Sequence, residues 1–162
     1  MRRMLITGMS ATGKSTVISD LAAMGHKAVD TDVDGWCGPA DGSVPRGRVR
    51  QPDWVWREDR MTQLLSTLDA DLLFVSGCVE NQAQFYPWFD HVVLLSAPED
   101  LIRRRLATRS TNSYGKHPQE LAREMRLRRT VEPLPRAGAT AEIDTTVPPD
   151  DVTAVILRLA GG

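Results

Sequence analysis

Cysteine is scarce in this chain of 162 residues: Cys37 and Cys78 stand without any C-x-x-C spacing. That leaves no disulfide framework to read and points to a cytoplasmic protein with free thiols. Histidine is equally sparse. His26, His91 and His117 are scattered without metal-ligand spacing and read as structural or surface residues. Charge of either sign is not in excess, at a formal −1, so no global field favours nucleic acid or an anionic membrane, and neither is expected as a partner. The apolar run Met4 to Thr7 is too short for a signal peptide or a membrane span. Internal repeats and low-complexity tracts are absent. The length suits a single domain over residues 1–162, enough to bury a core.

Against these absences stand residues 8 to 15, Gly-Met-Ser-Ala-Thr-Gly-Lys-Ser. They match the phosphate-binding loop pattern G-x-x-x-x-G-K-[ST] at every fixed position. The run Met4 to Thr7 before them suits a buried strand, and Val17, Ile18, Leu21 and Ala22 after them recur at helical spacing. Strand, glycine-rich loop and helix are the context the motif requires. Gly8 and Gly13 let the backbone turn tightly and approach an anion. The loop amides then converge on phosphate oxygens at the positive end of the helix dipole. Lys14 reaches the β- and γ-phosphates as a catalytic cation, and the Ser15 hydroxyl ligates Mg2+. Gly8, Ala11, Thr12, Gly13, Lys14, Ser15 and Thr16 are the expected nucleotide contacts, with ATP and Mg2+ the expected ligands.

Strands and helices alternate along the rest of the chain. Lys27 to Asp30 reads as a second strand after Gly25, a helix C′ residue. Residues 35 to 53 carry Gly, Pro and Arg without periodicity, a length that serves a site or is disordered. A helix is expected from Arg57, with Met61, Leu64, Leu65 and Leu68 on one face. The runs Leu72 to Val75 and His91 to Leu95 read as parallel strands covered on both sides. Ser96-Ala-Pro-Glu99 has the form of a capping box, with Pro98 early in a helix that turns Leu101, Ile102 and Leu106 inward. Residues 110 to 118 are polar and loop-like. A charged helix is expected from about Pro118 to Thr130, a last strand at Ala141 to Asp144, and a final helix carrying Val152, Val155, Ile156 and Leu159. The alternation predicts an α/β fold, a parallel sheet between helical layers, with ligands beyond the carboxyl ends of the strands.

Asp30-Thr-Asp32-Val-Asp34-Gly35 follows the second strand at such an end. One carboxylate there can hold Mg2+ directly or through water, and another can take a proton from an attacking hydroxyl. Asp30 is assigned to the metal and Asp32 to the base, with Asp34-Gly35 a turn. A solvated acidic turn or a helix N-cap is the plain alternative. The third strand ends Val75-Ser76-Gly77-Cys78 without an acid, so the metal shell draws on Ser15, Asp30 and Asp32, with Ser76 through water and Glu80 in reserve. Arg105 and Arg109, one helical turn apart, can stack on a purine or clamp phosphates, or else lie on a solvated face. Arg123, Arg126, Arg128 and Arg129 read mostly as solvated. Arg136, in a non-periodic stretch, is favoured to neutralise a transferring phosphate. Trp36, Trp54 and Trp56 stand near Arg46, Arg48, Arg50, Arg57 and Arg60, a mixture that suits a planar or anionic small molecule or simply covers a core edge.

Taken in order, Gly8 to Ser15, Asp30-Thr-Asp32, Ser76-Gly77-Cys78, Val92 to Arg109 and Ile143 to Pro149 resemble the phosphate-loop small-molecule and nucleoside monophosphate kinases, in the shikimate-kinase and gluconate-kinase-like branch. The resemblance implies a five-stranded sheet in the order 2-3-1-4-5, an acceptor-binding segment at residues 33–60 and a lid at 110–118. It implies Asp32 as the acceptor-activating carboxylate, with Arg57, Gly77 and Arg136 on the acceptor side. Arg105 would lie along the adenine, Arg109 would touch the phosphates, and Thr146, after Asp144, would border the base. Shikimate kinases carry three glycines after the third strand where Ser76-Gly77-Cys78 keeps one, and the Asp-Gly-Phe-Pro-Arg-like segment of adenylate kinases is missing, so the acceptor is unassigned.

Two functions follow. The first is transfer of the ATP γ-phosphoryl group to a hydroxyl, or less readily a phosphate, of a small metabolite, by a monomer or weak homodimer. The second is a nucleotide-dependent switch that alters a loop for a protein partner.

Overall fold

In the computed structural model the described residues are 1–33, 35–43, 53–110 and 113–161. Asp34, Arg46, Arg48 and Arg50 lie outside them, as do parts of the acceptor-binding segment and of the lid.

Continuous apolar runs set the architecture, because a strand that reads apolar at consecutive positions must be covered on both faces. Five strands form one all-parallel sheet, the three central ones with such runs: β1 (Arg2–Thr7), β2 (Lys27–Asp30), β3 (Leu72–Ser76), β4 (His91–Ser96) and β5 (Ala141–Asp144). Their order is β2-β3-β1-β4-β5, the order the resemblance implied. Side chains alternate across the sheet. Met4, Ile6, Phe74, Val93 and Leu95 join one core with α1 (Lys14–Ala23) and α6 (Pro149–Gly161). Leu5, Leu73, Val75 and Val92 join the other with α2 (Glu58–Ser66) and the 3-10 helix Glu80–Trp88. Each fully buried apolar side chain contributes roughly 1.5–3 kcal/mol. The helices α3 (Glu99–Thr108) and α4 (Pro118–Thr130) share a smaller cluster of Ala97, Ile102, Leu106 and Met125, and α5 (Pro133–Gly138) follows them.

The ends of the elements fix where a ligand can sit. Asp30 pairs with Ser76, and Ser76 with Ile6, so three strands finish level with one another. At the other end of α1, His26 N–H donates to the Leu21 carbonyl and Gly25 N–H to that of Ala22, with Gly25 at φ 87°. This is a Schellman closure, and the left-handed C′ position is the reason for glycine there. Among the described residues no helix is long and apolar enough to cross a membrane.

Three local expectations need correction. Ser96 belongs to β4, and α3 is capped by Pro98 with no side-chain cap bond; the Glu99 carboxylate instead pairs with Arg103 at 2.8 Å. Leu68 lies beyond the end of α2 and is 76% exposed. Ala22 is exposed on α1. Periodicity also passed over the 3-10 helix, α5 and a two-residue antiparallel ribbon, Cys37–Gly38 against Val55–Trp56. The ribbon and α5 are too short for a hydrophobic period to register, and the 3-10 helix buries only Gln82 and Phe85, which make no apolar face at helical spacing.

The end of α2 yields a paired test. Leu65 is fully buried, so Leu65→Ala should destabilise the fold by about 2–5 kcal/mol in denaturant unfolding, whereas Leu68→Ala should stay within about 0.5 kcal/mol. Equal costs would show that α2 runs on to bury Leu68.

Candidate active site

The turn from β1 into α1 is held in a shape that demands its glycines. Gly8 has φ 150°, and a Cβ there would stand 2.5 Å from the Leu95 carbonyl oxygen and 2.8 Å from Thr12 Oγ1. Gly13, the N-cap of α1, has φ 100°. Ala11 adopts a left-handed φ of 62°, a cost that clusters at functional loops. Lys14 is buried, and its Nζ donates to the carbonyls of Gly8 at 2.6 Å and Met9 at 3.0 Å. Thr12 Oγ1 also donates to Met9 O. The loop thus curls around its own ammonium, above a cleft of about 490 Å³.

The acidic turn is tied down from the sheet side. Thr31 N–H and its hydroxyl both donate to the Ser76 carbonyl, and Trp56 Nε1 donates to Thr31 Oγ1 at 2.8 Å. Thr31 is fully buried, while its chain neighbours Asp30 and Asp32 are more open. The Ser15 hydroxyl donates to Asp30 Oδ2 at 3.1 Å, and Asp32 N–H donates to Asp30 Oδ1. Asp32 lines the cleft. A hydroxyl and two carboxylates suit Mg2+, which takes one or two carboxylates and completes its shell with water and phosphate. Among the described residues no group of three or more His, Cys, Asp or Glu could hold a metal by itself.

Arg105 and Arg109 arrive from α3. Arg105 Nη1 donates to Ala11 O and Thr145 Oγ1, and Nη2 to Thr145 O. Arg109 Nη1 lies 3.4 Å from Ser10 Oγ, and its guanidinium sits 5.9 Å from the Tyr114 ring. Burial draws the pKa of both guanidinium groups below the ordinary arginine value.

A family model described as the AAA domain matches residues 4–130. The chain belongs to this family. Solved structures extend the likeness over nearly the whole chain. A shikimate kinase from Acinetobacter baumannii in complex with shikimate is 20% identical, covers 98% of this chain and 92% of its own, and has a TM-score of 0.65. A gluconokinase from Sinorhizobium meliloti 1021 is 18% identical over 99% and 94%, with a TM-score of 0.57. A sugar kinase from Janibacter sp. HTCC2649 is 19% identical over 98% and 93%, at 0.56. At these identities the likeness establishes the shared fold. Curated proteins gave no match.

The cleft gathers Gly8 to Val17, Asp32, Arg105 and Arg109, which were singled out in the sequence, together with Cys78 and, beyond the matched residues, Thr145, Val147 and Pro149. Thr145 rather than Thr146 meets the cleft: Thr145 is buried against Ser96 O, and Thr146 is exposed with its amide on Asp144 Oδ1. Arg57 is the N-cap of α2; its guanidinium is exposed, 3.5 Å from Asp59, and does not line the cleft. Arg136 is not brought there either. Glu132 at 2.8 Å and Glu142 at 3.1 Å hold its guanidinium and strengthen its grip on the proton, so its expected place among the acceptor residues is withdrawn. Of the tryptophans, Trp56 is buried core, and Trp36 carries the Arg60 guanidinium 4.5 Å from its ring. Sequence reasoning missed Glu124, a 2%-exposed carboxylate on α4 that accepts Ser10 N–H at 3.2 Å. Its heavily charged helix concealed it.

Gly77 contacts the site through packing. A Cβ there would collide with Thr31 Oγ1 and stand 3.0 Å from the Trp56 ring. Gly77→Ala should cost about 1–3 kcal/mol in thermal or denaturant unfolding and change Trp56 emission. Unchanged stability and emission would show that the Thr31–Trp56 contact yields freely.

Proposed function

We propose that this protein transfers the γ-phosphoryl group of ATP to a hydroxyl, or less readily a phosphate, of a small metabolite. The observation that carries the reading is the convergence of Lys14, Asp32, Arg105 and Arg109 on one cleft around the phosphate loop. The neighbours named as shikimate kinase, gluconokinase and sugar kinase support it.

Phosphoryl transfer asks mainly for positioning and charge neutralisation. The loop amides receive phosphate oxygens, and Lys14 exchanges its Gly8 and Met9 carbonyl partners for the β- and γ-phosphates. Ser15 and Asp30 hold Mg2+ with Asp32 nearby; the ion supplies neutralisation of the phosphate charge. Asp32 orients the acceptor hydroxyl and takes its proton as the oxygen attacks. Arg109 neutralises charge on the transferring group, and Arg105 lies along the base with Thr145. Gly77 leaves room for the Thr31–Trp56 contact that holds Asp32 in place, and Arg57, beside Gly38, would turn from Asp59 to anchor the acceptor. Closure over the cleft excludes water and suppresses wasteful hydrolysis.

ADP release, measured with MgATP and a library of phosphorylatable metabolites, tests the reading. Stimulation by a small hydroxylated compound is expected. Lys14→Ala should lower kcat at least about 10²-fold, and Asp32→Asn by about 10²–10⁴-fold with ATP affinity retained by calorimetry. Near-wild-type turnover of Lys14→Ala contradicts the proposal. Stimulation by a macromolecule alone would favour the nucleotide-dependent switch.

A further inference from the structure

A buried carboxylate stands against the phosphate loop, and neither the loop motif nor the strand-end acids account for it. Glu124 Oε1 accepts Ser10 N–H at 3.2 Å, and Oε2 accepts the Tyr114 hydroxyl at 3.4 Å. Positive charge faces the carboxylate from Lys14 on α1, from Arg109 beyond α3 and from Arg128 one turn along α4. Arg123 and Glu120 complete the cluster, bearing on Tyr114 and Arg109 respectively. Arg109 Nε is buried in this cluster without a hydrogen-bond partner among the described residues. Burial pushes the Glu124 carboxyl pKa up, and the Lys14 charge opposes that rise.

Ser10 lies within the loop whose amides receive phosphate oxygens on the reading above, and the inference rests on that reading. An amide engaged by a carboxylate cannot serve a phosphate oxygen at the same time. A phosphate at that position would also face a buried like charge. We infer that Glu124 is a positioning residue that competes with the nucleotide polyphosphate for the Ser10 amide and the Lys14 charge, so that nucleotide binding takes up a proton at its carboxyl.

The sign follows from the like charge. A bound polyphosphate raises the Glu124 pKa further, so the complex favours the protonated acid. Affinity is therefore highest below the carboxyl pKa of the free protein, and it falls as pH rises from that value to the pKa of the complex. A difference of one pKa unit corresponds to about tenfold in affinity.

Calorimetric titration of the full chain with Mg2+ and the nonhydrolysable analogue AMP-PNP, in paired buffers of different ionisation enthalpy, measures the proton uptake. Subtracting the same titration of Glu124→Gln cancels the nucleotide's own protonation. The wild type should take up more protons than Glu124→Gln, and Glu124→Gln should bind about tenfold more tightly on the alkaline side, where the wild-type carboxylate is charged. Carbon-13 NMR of the Glu124 carboxyl in the wild type gives a readout that does not depend on the variant: its titration should move to higher pH when AMP-PNP binds. Equal proton uptake by the two proteins, or a carboxyl titration unmoved by AMP-PNP, overturns the inference while leaving nucleotide binding at the loop intact. No binding by either protein overturns the nucleotide reading and this inference with it.

Discussion

A buried ammonium has to be paired, and the pairing of Lys14 organises one end of this molecule. An unpaired charge in the interior is costly. Lys14 meets that demand with the carbonyls of Gly8 and Met9, which requires the loop to curl back over its own helix. The curl requires Gly8 to lie against the Leu95 carbonyl, where no side chain fits, and requires left-handed backbone at Ala11 and Gly13. Leu95 in turn is fully buried in β4, so the sheet itself fixes the floor beneath the loop. A cation held this way by neutral carbonyls is preorganised for a polyanion, because exchanging a dipole for a full charge strengthens the interaction.

The acidic side of the cleft depends on a second chain of contacts that begins in the other core. Trp56 donates to Thr31, and Thr31 donates to the end of β3, while Gly77 leaves the gap that lets the three meet. Asn81, from the 3-10 helix, exchanges two hydrogen bonds with the Trp56 backbone and so holds the ribbon that carries the indole. Asp30 and Asp32 flank this buried threonine. Their approach to Ser15 and the loop is therefore set by core packing rather than by the flexibility of a surface turn.

Much of this was legible in the sequence because its signals were strong and local. The loop motif has fixed glycines and a fixed lysine, each with a steric or electrostatic reason. The strands Lys27–Asp30 and Ala141–Asp144 and the helix Pro118–Thr130 have the bounds expected of them, set by turn residues and an early proline. The misreadings share a cause, namely that sequence spacing does not say which competing partner wins. Ser96 had the chemistry of a cap, yet the sheet ladder to Asp144 claimed it. Arg136 was selected for lying outside a regular pattern, but two glutamates engage it. Thr146 was one position out, because the backbone after β5 buries Thr145 first. Glu124 was invisible since nothing in a charged helix distinguishes the carboxylate that a tertiary contact will bury.

The account comes down to whether the amides of residues 8 to 15 form a receptor for the phosphates of a nucleotide. The most direct measurement is an NMR titration of nitrogen-15-labelled protein with Mg2+ and ADP, with every amide followed. The account predicts that the largest saturable shifts fall on Gly8 to Ser15, with smaller ones at Asp32 and Thr145. Shifts centred elsewhere, or no saturable change in the loop, would contradict it.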